Sequence, residues 1–116
     1  MARRLVAITA ILILACFPAV AAGVNISGNW ESRVMGSLIQ ATINQNGNHV
    51  AGVARVYSPL GQKDTYHFTG KIDGARVFAS HGSGHSFSGN LTPTGHLVGV
   101  LKTKEGYQVM VDASRR

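Results

Sequence analysis

Apolar and polar residues alternate in short segments from about residue 28 to the end of the chain, and no window there has a helical period. Alternation with a period of two is typical of β-strands that bury one face. Segments rich in glycine, asparagine and proline interrupt the alternation about every ten residues, a spacing that favours an all-β sandwich or barrel. The pattern therefore predicts an all-β domain.

Seven turn signals separate eight predicted strands. Asn46–Gly47 and Asp73–Gly74 are the strongest signals, because type I′ turns need residues that tolerate a positive φ. The connections are short, so successive strands must pair antiparallel as an up-and-down meander. The predicted strands are 28–35, 38–45, 49–57, 64–72, 75–81, 85–91, 96–103 and 107–112.

Glycine recurs on the apolar face of the predicted strands, where it marks tight bends or a close approach of backbones. Closing the sheet also removes exposed edges, so a closed eight-stranded antiparallel barrel is favoured over a sandwich. Such a barrel is either filled by side chains or holds one small ligand. The predicted inward positions include Val50, Gly52, Ala54, Val56, Tyr66, Phe68, Gly70, Ile72, Phe87, Gly89, Leu91, Leu97, Gly99, Leu101, Tyr107, Val109 and Val111.

Residues 1–22 have the pattern of a signal peptide. Arg3 and Arg4 precede an apolar run, and small residues follow it at Ala19, Ala21 and Ala22. The run is shorter than the roughly 20 residues of a membrane span. The sequence thus predicts export, to the periplasm or as a secreted protein, and one β-barrel domain over residues 23–116.

Cys16 is the single cysteine of the chain and lies inside this N-terminal segment. The stretch "LILAC" is similar to the box before the acylated cysteine of bacterial lipoproteins, which gives lipid anchoring at Cys16 as an alternative to ordinary cleavage. Association with a membrane is expected only in that alternative. After ordinary cleavage the domain has no thiol and no disulfide.

The formal net charge of +6 comes from basic residues that are scattered along the chain. A nucleic-acid binder normally concentrates them on one face. We therefore expect no nucleic-acid partner.

Gly28-Asn29-Trp30 opens the predicted meander directly after the signal segment. In this feature the chain resembles the calycin-type barrels, that is, the lipocalins and avidins, whose first strand begins Gly-x-Trp. The resemblance implies that Trp30 plugs one end of the barrel, with Lys102 or Lys104 as the basic residue on its ring, and that Ser37 contacts a ligand. Most avidin ligand residues are missing, since Ala54 replaces a tyrosine, so biotin is not the expected ligand.

His81 and His85 flank the turn in "SHGSGHS" and are the weak candidates for a metal site. Two ligands fall short of the three or four that zinc takes, so we expect no metal and no cofactor. The chain has no Gly-x-Ser-x-Gly elbow, and most of its acids lie beside turns. The interpretation is a protein that is not an enzyme.

The predicted function is an exported, non-enzymatic binding protein for a small apolar or neutral ligand inside the barrel. An apolar pocket with a few hydroxyls is typical of such sites. Two alternatives remain open, namely a protein-interaction module with a filled barrel, similar to secreted protease inhibitors, and a structural envelope protein or lipoprotein. The candidate ligand-binding residues are Ser37, Tyr66, Phe68, Phe87 and Tyr107.

Overall fold

The computed structural model describes residues 24–116, so the predicted signal peptide and Cys16 lie outside the described residues. Residues 24–116 form eight antiparallel strands that close into an up-and-down barrel. They include no helix with the length and hydrophobicity of a bilayer crossing. The strands are β1 (Gly28–Val34), β2 (Ser37–Asn46), β3 (His49–Tyr57), β4 (Lys63–Asp73), β5 (Arg76–Ser80), β6 (Ser86–Leu91), β7 (Leu97–Lys102) and β8 (Gln108–Arg115).

The predicted fold class is confirmed, and so is the number and order of the strands. Gly47 and Gly74 have positive φ in two of the turns, as the turn signals predict. The main difference is β8, which continues to Arg115 where the sequence predicts an end at residue 112. The extra residues pair with Trp30 and Glu31 of β1, which closes the barrel.

The end of the barrel that contains Trp30 is closed by a packed apolar cluster. Trp30 is 1% exposed and Ile26 of the segment before β1 is fully buried. The Trp30 indole Nε1–H donates to the Ile26 carbonyl over 2.9 Å, so the buried ring leaves no orphaned donor. The other members of the cluster are Ile43, Val50, Ile72, Val77, Leu97 and Ala113.

Arg115 stabilises this closed end from outside. Its guanidinium lies 4.5 Å from the centre of the Trp30 ring, within the range of a cation–π contact. It also donates to the carbonyls of Asn25 and Ser27 over 2.6 and 2.7 Å. The prediction of Lys102 or Lys104 on the tryptophan is wrong. Arg115 lies on the ring, whereas Lys102 ends β7 and Lys104 follows it at the opposite end of the barrel.

The inward glycines accommodate two phenyl rings. A Cβ added at Gly52 would lie 2.8 Å from the ring of Phe68, and one at Gly89 or Gly99 would lie 2.7 or 2.8 Å from the ring of Phe87. These distances are shorter than real carbon contacts, so the rings occupy the space that a side chain would need. Glycine at these positions thus leaves room for the two rings and for the backbone of the neighbouring strands.

Candidate functional site

A cavity of about 420 Å³ lies inside the barrel and opens at the end opposite Trp30. The mouth is bordered by the turns that connect β1 to β2, β3 to β4, β5 to β6 and β7 to β8, because every second turn of a meander lies at the same end. The walls are mostly apolar. The apolar lining consists of Ile26, Trp30, Val34, Met35, Ile39, Ala41, Ile43, Ala54, Val56, Phe68, Val77, Ala79, Phe87, Leu97, Leu101, Val109, Val111 and Ala113.

Three inward alanines create much of this space. Ala41 pairs with Ala54, which in turn pairs with Tyr66, and Ala79 pairs with Phe87. All of them line the cavity. Larger side chains at the alanine positions would fill an eight-stranded barrel, so the choice of alanine keeps its interior open.

Most polar lining residues lie toward the mouth, whereas Glu31 and Ser32 lie in the middle of β1. Ser37 begins β2, and Ser80 and Ser86 flank the β5–β6 turn. Thr103 follows β7 at the same end. Ser32 lies deeper and is 5% exposed, and its hydroxyl donates to the Asp112 carbonyl over 2.9 Å. The cavity is therefore mostly apolar, and most of its polar side chains lie at the mouth.

Three rings meet at the mouth. Tyr66 makes edge-to-face contacts with His81 and His85, with ring centroids 5.3 and 5.4 Å apart. The two imidazoles are 6.3 Å apart and inclined by 30°. The structure thus brings Tyr66 of β4 against the two histidines of the β5–β6 turn.

Hydrogen bonds fix which imidazole nitrogen can carry the proton. Nδ1 of His81 accepts the Ser83 backbone N–H over 3.1 Å, and Nδ1 of His85 accepts the Lys104 N–H over 3.2 Å. A nitrogen that accepts from an N–H group is unprotonated, so each neutral ring carries its proton on Nε2. Among residues 24–116, neither Nε2 makes a hydrogen bond, which leaves two N–H donors at the mouth.

This arrangement suits hydrogen bonding better than metal binding. Within the described part of the chain, no third histidine, cysteine, aspartate or glutamate joins His81 and His85 in a possible metal group. A metal at Nε2 would need Nδ1 to donate its hydrogen to a neighbouring acceptor, whereas here Nδ1 itself accepts. The geometry of the pair favours recognition of a hydrogen-bond acceptor.

The position of His81 follows from a type of turn that occurs four times in residues 24–116. Ser58, His81, Thr92 and Thr103 each begin a turn in which their carbonyl accepts the N–H of a glycine three residues later. In three of the turns a hydroxyl also caps a backbone N–H. His81 caps with its Nδ1 instead, and its ring lines the mouth.

Four of the five predicted ligand-binding residues line the cavity, namely Ser37, Tyr66, Phe68 and Phe87. The predicted inward position of Tyr107 is wrong. Tyr107 precedes β8, is 71% exposed and lies at the end of the Thr103–Tyr107 turn. The alternation of β8 extrapolates to an inward Tyr107, but the strand begins only at Gln108.

No protein family, curated protein or solved structure matches the chain.

Proposed function

We propose that the protein is a non-enzymatic binding protein that holds one small, mostly apolar ligand inside its barrel. The observation that carries the proposal is the open cavity of about 420 Å³. Small-molecule sites usually measure about 300–1,000 Å³ and are lined mainly by apolar and aromatic side chains. An interaction module with a filled barrel would not need this space. Export, to the periplasm or beyond, belongs to the proposal and depends on residues 1–22.

The distribution of polar side chains in the cavity indicates how the ligand lies. Phe68 and Phe87 are in the apolar part, and burial of an apolar body there contributes about 25 cal/mol per Å². Tyr66, His81 and His85 offer donors at the mouth. The ligand is therefore an apolar body whose outer end carries a hydrogen-bond acceptor.

The contact between Ser83 and His81 is better explained by the turn than by catalysis. The Ser83 hydroxyl lies 2.7 Å from Nδ1 of His81, but the same nitrogen accepts the backbone N–H of Ser83. A general base must be free to take the proton of the nucleophile and is usually oriented by a third group. This nitrogen instead caps a turn, which supports a binding role.

The closed end supports the proposed likeness to calycin-type barrels. Trp30 follows the Gly-x pair at the start of β1 and is buried at that end. Arg115 covers the Trp30 ring, and the resemblance implies a basic residue in this position. A shared architecture does not determine the ligand.

Replacement of Ala54 by phenylalanine tests whether a ligand enters the barrel. Ala54 lines the cavity, so the A54F ring occupies the volume that a ligand needs. The wild-type protein is expected to bind one molecule of 1-anilinonaphthalene-8-sulfonate (ANS), and A54F should weaken this binding at least tenfold. Fluorescence titration with the native protein measures the effect.

Val53→Phe is the matched control. Val53 precedes Ala54 on β3, and because successive side chains of a strand point to opposite faces, the Val53 side chain points outward. V53F should bind ANS as the wild type does. Circular dichroism must show that both variants are folded, since ANS also binds to loosened states. Equal ANS binding by folded A54F and wild type would contradict a site inside the barrel.

Removal of donors at the mouth tests the proposed orientation. The variants Tyr66→Phe and His85→Phe keep an aromatic ring but lose an O–H or N–H donor. We expect the combined variant to bind the sulfonate of ANS at least tenfold more weakly, because each hydrogen bond to a charged group contributes about 1.5 kcal/mol or more. Binding of the neutral probe N-phenyl-1-naphthylamine should change less than twofold.

His49→Phe provides the control for this prediction, because His49 is exposed and begins β3 at the closed end. It should leave the affinity for both probes unchanged. An equal loss for the two probes in the mouth variant would show that these rings contribute apolar contact only, and would contradict the acceptor at the outer end of the ligand.

A further inference from the structure

Three of the four turns at the mouth present a large exposed apolar side chain. Met35 is 87% exposed, Leu60 is 90% exposed and Tyr107 is 71% exposed. Within residues 24–116 the other large exposed apolar residues are Phe78 and Met110, which lie on the outer walls of β5 and β8. The turns of the closed end carry none. We call Met35, Leu60 and Tyr107 the rim residues.

The turns at the mouth contact one another in two pairs. A Cβ added at Gly36 would lie 3.3 Å from Cγ of Pro59, so the turns of Met35 and Leu60 are in contact. A Cβ added at Gly84 would lie 3.1 Å from Cβ of Lys104, so the β5–β6 turn and the turn of Tyr107 are in contact. The rim residues therefore lie around the mouth of the cavity.

The backbone conformation of Met35 supports a role for its apolar side chain at the mouth. Met35 has a φ of 50° and is followed by Gly36 with a φ of 82°. Asparagine or glycine adopts this left-handed conformation at lower cost than methionine. Met35 departs from this preference and has an exposed side chain at the mouth, and such departures tend to mark functional sites.

Cations accompany each rim residue. Arg33, Lys63 and Lys104 are exposed and lie within three residues of Met35, Leu60 and Tyr107, respectively. Lys102 lies at the same end of β7. The acids at this end are Asp64 and Glu105, so the rim has an excess of positive charge. Apolar tips between basic side chains are the pattern of a protein surface that binds anionic lipid.

We propose that the mouth of the barrel docks on an anionic membrane surface. The rim residues enter the interface between headgroups and acyl chains, and the flanking lysines and Arg33 contact the headgroups. The inference rests on the proposed function, since a docked mouth lets an apolar ligand pass between bilayer and cavity without crossing water. The ligand class is then a single-chain lipid or another membrane-soluble molecule.

Co-sedimentation with vesicles tests the proposal. The protein should bind vesicles of phosphatidylcholine and phosphatidylglycerol in a 3:1 ratio, and bind pure phosphatidylcholine at least tenfold more weakly. The triple variant Met35→Asn, Leu60→Ser, Tyr107→Thr should lower the partition coefficient at least tenfold. The double variant Phe78→Ser, Met110→Ser removes the exposed apolar residues of the walls and should bind as the wild type does.

The charged part is tested in the same assay. Lys63→Gln with Lys104→Gln should weaken binding to the anionic vesicles several-fold and reduce its dependence on salt. The matched pair Lys71→Gln with Arg76→Gln, from the closed end, should have little effect. Equal losses in the two pairs would show that net charge alone drives binding, and would overturn the proposal.

Two further results would also overturn docking on a membrane. One is the absence of vesicle binding by the wild type. The other is a dimer in analytical ultracentrifugation that the rim variant abolishes, which would assign the rim residues to contact with a second copy of this chain.

ANS titration of the wild type separates the two proposals. If the wild type binds ANS but does not bind vesicles, the proposed ligand site stands and only the docking on a membrane is refuted.

Discussion

Replacement of Trp30 by alanine is expected to lower the free energy of unfolding by about 3–5 kcal/mol, the usual cost of removing a large buried aromatic side chain. Trp30 is 1% exposed, and its loss also leaves the Ile26 carbonyl without its donor. A domain of this size has a total stability of about 5–15 kcal/mol. Urea unfolding followed by far-ultraviolet circular dichroism measures the change.

Trp30→Phe is the control that separates packing from hydrogen bonding. It keeps an aromatic ring under Arg115 but cannot donate to Ile26, so it should be clearly less damaging than W30A. A loss below about 1 kcal/mol for W30A would fall outside the range for buried aromatic residues. It would show that the closed end of the barrel contributes little to stability.

Replacement of Gly70 by alanine is the second change for which we expect a large effect. A Cβ at Gly70 would overlap the carbonyl oxygen of Phe78 and lie 2.7 Å from Cα of Ala79, both on the paired strand β5. Overpacking typically costs about 1–3 kcal/mol and sometimes more. Because backbone and not a flexible side chain must move here, we expect a loss of about 3 kcal/mol, measured as a lower Tm and urea midpoint.

Gly82→Ala provides the matched control, because a Cβ there would meet no atom within 4 Å and the residue has no positive φ. Its effect should stay within about 0.5 kcal/mol, as for ordinary surface substitutions. If G70A were as stable as G82A, the spacing of β4 and β5 would be adjustable, and glycine on the inner face would have another explanation.

The fold could be predicted from the sequence because its information is local. Turns such as Asn46–Gly47 and Asp73–Gly74 set the strand boundaries, and a period of two set the faces. Short connections then left antiparallel pairing of neighbours as the simplest topology. The wrong predictions lie where the pattern stops. Tyr107 precedes the first residue of β8, and the pairing of Arg115 depends on closure with β1.

The candidate site was less predictable, because it depends on distances between remote segments. Alternation correctly placed Phe68 and Phe87 inside, but could not show that alanines leave space around them. The sequence drew attention to His81 and His85 as a pair. Their contact with Tyr66 and the protonation of Nε2 follow only from the register of the strands and from backbone donors such as Lys104 N–H.

The even number of strands has a practical consequence. Residue 24 and Arg116 both lie at the closed end, where the Arg116 N–H donates to the Asn29 carbonyl over 3.0 Å. A tag fused after Arg116 therefore lies at the end of the barrel opposite the mouth. A protein immobilised through such a tag keeps the mouth of its cavity open to the solution. The same proximity allows a circular permutant, with residues 24 and 116 joined by a short linker and new termini opened near Gly61.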